Sequence, residues 1–499
     1  MAMTLVALAR YRGFTLTVVD TFNHPILSNM ADMADMVQAL DHEVGLLKEE
    51  TQDANTFDYK AHSLSTLQHL SHEAMPICVD KIEQIYRCTG MQEMFLYRSE
   101  AWSGTHFMQW IFSLDAGVDI LTLGKAIDRC VVRYPTMRTR ILRNVQTGQL
   151  VQVVLRKGNE APWSVFFSKN VDSAMKEKRQ CHWMHSGLGE PLQRISLVQN
   201  SSGPTHLIWS LNHAAYDAWS FGMMLRSISQ YYANPEDDPE TSLPFSGFIR
   251  HVTKARNAGS KSRSFWQTYL SDMGPQALLF NYSSFNDPRQ DCLAVYRVSF
   301  PKREGKTPTS LIAAAWILLL ARLTHRIDIT IAYLATGRTL PLGGIETCPG
   351  QLISNLPLHV RLPTESTGIC NAADIVRTEM VRVMPHEHTG LDAMQSLTSQ
   401  DGEATPLHAA SLLGHLPFDL AIHPAGPTDF GGAKGTSMAY AEQRVVIPPP
   451  GTFSAECSIV SEKDNFEVDL AMIWDFRAVD KKGVDDIIGT WREIITDDA

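Results

Sequence analysis

The chain has 499 residues, 44 lysines and arginines against 54 acidic residues, a formal net charge of −10, and 44% hydrophobic content. This composition excludes a disordered, collagenous or low-complexity protein, and the length suits either about three folding units or one two-lobed enzyme. The acidic balance and the lack of any Lys/Arg-rich block argue against nucleic acid or an anionic membrane as a partner.

In chain order, Thr4 to Arg10 carries apolar residues at helical spacing. After Gly13 the sequence predicts a short extended piece, a turn at Asn23-His24-Pro25 and another helix. Residues 39–76 are polar and mixed in charge, and read as a linker. From Ile82 the pattern becomes strands alternating with amphipathic helices: a strand over 106–114, a helix over 121–134, a strand over 206–211 and a helix over 221–232. The run NPEDDPETSLP (234–244) marks a boundary. Beyond it, Ser310 to Leu323 is apolar for about 14 residues, short of the ~20 that span a bilayer, and reads as a buried helix. Strands follow at 328–335, 353–362 and 416–424, then two more around 454–460 and 466–476 before a closing helix from Val484. The expected class is α/β, in two lobes of similar size joined near residue 245.

Eight scattered cysteines without a C-x-x-C pair suit a reducing cytoplasm, and the N-terminal apolar stretch has its basic residues on the wrong side for a secretory signal. Cys181, His182 and His185 lack a second ligand pair at zinc-site spacing, so no metal is expected. The glycine-rich run 426–435 lacks the spacing of a phosphate loop and reads as a flexible loop. Neither G-x-S-x-G nor H-E-x-x-H occurs.

The most informative segment is SLNHAAYDAWS (210–220), where His213 follows a strand end, and Asp217 and Ser220 open the next helix. A histidine there faces whatever cleft the strand end borders, with a pKa suited to taking a proton from an attacking amine or alcohol. Asp217 would orient the loop or lobe through a buried ion pair. With 18 histidines and 54 acidic residues, about two H-x-x-x-[DE] pairs arise by chance. The bland alternative is a helix-capping aspartate beside a hydrogen-bonded core histidine.

Several separated segments raise this pair above chance. IEQIYRCTGMQEMFL (82–96), RYPTMRTRIL (133–142), NHAAYDAWS (212–220), AAAWILLLARLTHRIDITIAYLATGR (313–338) and MPHEHTGL (384–391) resemble, in family order, segments of nonribosomal peptide synthetase condensation domains, especially the fungal terminal or cyclising group. The resemblance covers about residues 76–499. It implies a V-shaped pseudo-dimer of two chloramphenicol-acetyltransferase-like lobes, 77–245 and 246–499. It also implies an acyltransferase in secondary metabolism: an amine or hydroxyl attacks a thioester held on the phosphopantetheine arm of a carrier protein, forming an amide or ester or closing a ring. No cofactor, metal or nucleotide is needed, and the partners implied are peptidyl carrier domains.

Carried over by position, His213 takes the active histidine's place and Asp217 that of the structural aspartate, with Arg138 as candidate partner for Asp217. The sequence departs from the family's H-H-x-x-x-D-G at Asn212 and at Ala218, where an alanine would tighten the loop or the tunnel beside His213. Arg87 and Gly90 replace two prolines of the opening segment, and no D-F-G-W-G segment is recognised. Residues 1–38 resemble the latter part of a peptidyl carrier domain beyond its G-G-D-S serine, and are expected to form a frayed helical appendage that cannot be loaded. Two further readings follow from the departures and the fold: a catalytically impaired fragment or carrier-docking scaffold, and a stand-alone acyltransferase using coenzyme A thioesters.

Overall fold

The computed structural model describes residues 2–24, 27–33, 35–36, 79–101, 106–114, 117–144, 147–158, 163–167, 171–184, 187–199, 205–236, 242–257, 260–271, 292–340, 342–389, 419–423, 439–446, 453–462 and 465–497. The expected linker at 39–76 and the glycine-rich run at 426–435 lie outside them.

An N-terminal unit comprises α1 (Ala2–Tyr11), β1 (Phe14–Thr15), α2 (Val18–Asn23), α3 (Leu27–Met33) and β2 (Asp35–Met36). The extended piece expected before Asn23 is largely helix. The Thr17 side chain caps the Asp20 N–H while the Asp20 carboxylate accepts from the Thr17 N–H, a capping box that overrides the β-branched pair Val18-Val19. Nor is the unit a loose appendage. Val6, Leu16 and Val18 form a small core, and Val19 and Phe22 pack against the large core of the second lobe.

The first lobe holds β3 (Ile82–Arg87), α4 (Gly90–Ala101), β4 (Phe107–Leu114), α5 (Ile120–Arg133), β5 (Thr139–Arg143), β6 (Leu150–Leu155), β7 (Trp163–Phe167), α6 (Val171–Met184), β8 (Gln193–Gln199), β9 (Thr205–Asn212) and α7 (Ala218–Ala233). Asp119 starts α5 by accepting the Thr122 N–H at 2.7 Å, and the stripe Leu123, Ala126, Ile127, Cys130 and Val131 turns inward. It meets Phe221, Met224, Leu225 and Ile228 of α7 over Phe112, Leu207 and Trp209 of the sheet.

The second half of the chain holds α8 (Phe245–Asn257), α9 (Ser260–Ser271), β10 (Cys292–Pro301), α10 (Pro308–Thr324), β11 (Asp328–Ala335), β12 (Ser354–Arg361), α11 (Ile369–Val383), β13 (Asp419–His423), β14 (Ala439–Val446), β15 (Phe453–Glu462), β16 (Asn465–Trp474) and α12 (Lys481–Thr496). Thr307 caps α10, Pro308 occupies its first turn, and the run Ser310–Ala321 is buried on all sides. Burial on every face explains why its pattern is apolar throughout rather than striped.

Six strands form the second lobe's sheet in the order β10-β16-β15-β13-β11-β12, and five form the first lobe's sheet in the order β14-β4-β9-β8-β7. β3, β6 and β5 make a third, smaller sheet. β14 crosses from the second half of the chain and pairs antiparallel with β4, from Ala439 opposite Ser113 to Val446 opposite Met108. One strand of the first sheet therefore comes from beyond residue 245, so the second half of the chain lends a strand to the first lobe.

Candidate functional site

β9 ends at Asn212 and α7 starts at Ala218, and the five residues between them make a turn at the lobe junction. Asn212 is fully buried. Its side-chain oxygen accepts the Ala214 N–H at 2.9 Å and its carbonyl accepts the Ala215 N–H at 3.0 Å, a local pattern that asparagine supplies readily. The His213 N–H donates to the His106 carbonyl at 2.8 Å. His106 itself sits at φ 59°, a left-handed conformation uncommon outside glycine.

The His213 ring lies between Phe95 and Tyr216, each 5.0 Å away centroid to centroid. Its Nδ1 is 3.1 Å from the Tyr216 carbonyl oxygen. A carbonyl only accepts, so Nδ1 carries a proton in this contact, and in the neutral ring Nε2 is the nitrogen with the lone pair. That tautomer can take a proton at Nε2 and return it.

Asp217 is both a helix cap and an ion-pair partner, so the bland and the sharper readings of this residue hold together. Its Oδ1 accepts the Ser220 N–H at 2.8 Å, closing the first turn of α7. Its two oxygens also take a two-pronged bond from Arg338, at 2.5 Å and 3.2 Å, and Oδ2 accepts the Leu352 N–H at 3.1 Å. Both side chains of the pair are 1% exposed. Two charges buried so deeply persist only when well hydrogen-bonded. The two terminal nitrogens of Arg338 carry the bonding, also donating to the Ser220 hydroxyl at 3.0 Å and the Cys348 carbonyl at 3.1 Å, while its buried Nε has no partner among the described residues. Burial pushes the neighbouring Cys348 thiol up to about 12, so it stays neutral beside the pair.

Arg338, and not Arg138, is therefore the partner of Asp217. Arg138 is equally buried but points elsewhere: it donates to Glu83 at 2.7 Å, to the Val131 carbonyl at 3.1 Å and to the Leu155 carbonyl. It ties the small sheet to the end of α5. Arg338 reaches Asp217 from the opposite lobe because Gly337 adopts φ 69°; a Cβ there would lie 1.5 Å from the Leu352 carbonyl oxygen. The Gly-Arg pair was visible in the sequence as part of a matched segment, but nothing local signalled which arginine crosses the lobes. Further bonds join the lobes at the same place: Ser220 Oγ accepts the Gly350 N–H at 2.9 Å, and Trp219 Nε1 donates to the Glu346 carbonyl at 2.8 Å.

Ala218 does not tighten the turn. It is exposed, opens α7, and is not among the residues with positive φ. Cys181 lies on α6 with an exposed side chain, while the side chain of His182 and residue His185 are outside the described set. Among the described residues no cluster of His, Cys, Asp and Glu is arranged to hold a metal ion, and no helix is long and apolar enough to cross a membrane.

The fold is a two-lobed α/β architecture with a histidine-bearing turn at the lobe junction, and comparison with known proteins gives its family. The condensation-domain family model matches residues 82–412. The chain is 57% identical over 495 residues to apicidin F synthase of Gibberella fujikuroi, covering 99% of the chain and 10% of that protein. It is 36% identical over 515 residues to HC-toxin synthetase of Cochliobolus carbonum, again covering 99% of the chain and 10% of that protein. The solved condensation domain of the monacolin K polyketide synthase MokA superposes with a TM-score of 0.66 at 15% identity, covering 83% of this chain and 97% of that one. This chain belongs to the condensation-domain family, with its chloramphenicol-acetyltransferase-like fold. It spans about a tenth of the length of the two synthetases. Condensation domains of such synthetases form peptide bonds by acyl transfer and need no cofactor of their own.

Proposed function

We propose that this chain joins an amine or hydroxyl to an acyl or peptidyl thioester carried on the phosphopantetheine arm of a carrier protein, with His213 at the reacting centre. The supporting observation is the 3.1 Å contact of His213 Nδ1 with the Tyr216 carbonyl, which in the neutral ring puts the proton on Nδ1 and makes Nε2 the basic nitrogen. In the forward step the nucleophile's nitrogen or oxygen bonds to the thioester carbon and its proton passes to Nε2. The C–S bond then breaks as the tetrahedral intermediate collapses, and the departing sulfur takes the proton back from the imidazolium. Asp217 and Arg338 act as positioning residues, because they touch the turn and the opposite lobe but not the reacting atoms.

The assignment of residues 77–245 and 246–499 to the two lobes, of 39–76 to a linker and of 1–38 to a carrier-like segment belongs to the same proposal, with β14 as the exchanged strand. So does a cytoplasmic site of action. The scaffold reading draws on the truncated carrier-like segment, Asn212 and Ala218. Asn212 braces the turn and Ala218 is an ordinary first helical residue, so neither residue favours it.

His213→Ala should lower turnover with a carrier-loaded donor by about 10²-fold or more while the fold persists. An undiminished rate would remove His213 from the mechanism. Equal transfer from a coenzyme A thioester with no carrier present would instead reassign the donor.

A further inference from the structure

Gln92 is the N3 residue of α4, and with Thr89 it forms the helix's starting box. The Thr89 N–H donates to Gln92 Oε1 at 3.0 Å, and Thr89 Oγ1 accepts the Gln92 N–H at 3.1 Å. This role uses only the side-chain oxygen, so a glutamate would serve it as well, and the helix N-terminus favours negative charge. The amide nitrogen does something else. Fully buried, it donates one hydrogen to the Gln152 side-chain oxygen at 2.9 Å and the other to the Ala214 carbonyl at 2.7 Å. Ala214 follows His213 directly, and its N–H is already held by Asn212. Both backbone groups of Ala214 are thus fixed by buried side-chain amides.

The chain of bonds continues outward. Gln152 Nε2 donates to the Arg87 carbonyl at 3.1 Å, and Thr89 Oγ1 donates to Gln351 Oε1 at 3.1 Å across the lobe boundary. Gln351 lies between Gly350 and Leu352, whose N–H groups bind Ser220 and Asp217. The turn carrying His213 is gripped at one end by the Asp217–Arg338 pair and at the other by Gln92, and both grips reach the segment 350–352.

We infer that Gln92 is a positioning residue for His213, acting through the Ala214 carbonyl and distinct from its role in starting α4. This rests on His213 being the reacting group. The discriminating variant is Gln92→Glu, which keeps the capping oxygen but turns an oxygen toward the Ala214 and Gln152 oxygens in place of the amide donors. We expect its kcat to fall by about 10- to 100-fold with KM changed less than about twofold, since small misplacements of a reacting group have effects of that size. In a His213→Ala background the same change should cause no further loss, because a residue acting only through His213 has nothing left to position.

Unchanged kcat in a folded Gln92→Glu protein overturns the inference while leaving His213 in place. A loss that persists undiminished in the His213→Ala background overturns it as well, as does failure of both Gln92→Glu and the uncharged Gln92→Met to fold, which would make the role purely structural. An active His213→Ala protein sinks the functional reading itself, so the two failures are told apart.

Discussion

Ala218 stands where the family pattern has glycine, and a glycine there would be expected to serve a positive φ or a close backbone approach. The chain needs neither, since Ala218 is an exposed first residue of α7 with Asp217 already capping the helix. Ala218→Gly should therefore lower stability, by up to about 1 kcal/mol, through the greater freedom that glycine loses on entering a helix. A glycine variant with a higher melting temperature would show that the turn is strained by the alanine. The local turn was legible in sequence: His213 and Asp217 lie four apart, between the end of a strand and the start of a helix. The arginine was not legible. Arg138 and Arg338 are both almost wholly buried and hydrogen-bonded to carboxylates and backbone carbonyls, and which one meets Asp217 is decided by a lobe crossing 121 residues away in sequence.

Helix starts carry much of the local specification, and Asp119 at the head of α5 shows how. Its side-chain bond and its backbone bond from Thr122 stabilise the charged carboxylate and hold its pKa below the usual carboxylate value. A group depressed in the folded state contributes stability above its unfolded pKa, near 3.9, and loses it as pH falls through the lower folded value. Asp119→Asn keeps a capping oxygen without the charge, so the wild type should melt at a higher temperature at neutral pH and the difference should shrink as the pH falls through the lowered carboxylate pKa. A difference that stays constant with pH would remove the charge from the account. Elements with a strong apolar pattern were readable: β11 spans 328–335, where a short apolar run was expected, and α5 spans 120–133, as its striping indicates. The capping box of α2 and the continuously buried strand β6 were not, because a box outweighs β-branched residues locally and a strand buried on both faces has no alternation to see.

Two lobes could be counted from the sequence, but the strand that leaves the second half to pair with β4 could not, since pairing across some 330 residues leaves no local trace. At the turn that carries His213 the lobes are joined by the buried Asp217–Arg338 pair, supported from both sides by Ser220 and Leu352. A buried pair is a poor source of net stability but a costly one to break, because removing one partner strands the other's charge away from water. Arg338→Met should therefore destabilise the protein by about 3–5 kcal/mol, read from the first transition in urea. Asp217→Asn, which retains the Oδ1 that caps α7, should also destabilise it by leaving Arg338 unpaired. The double variant should recover much of either loss, since no unpaired charge then remains buried. If instead the two losses simply add, the pair is not the lobe latch, and the junction is held by the surrounding backbone bonds of residues 350–352. Recovery of stability without recovery of turnover would separate the two duties of the pair: the charges orient the turn that carries His213, while apolar packing alone is enough to keep the lobes together.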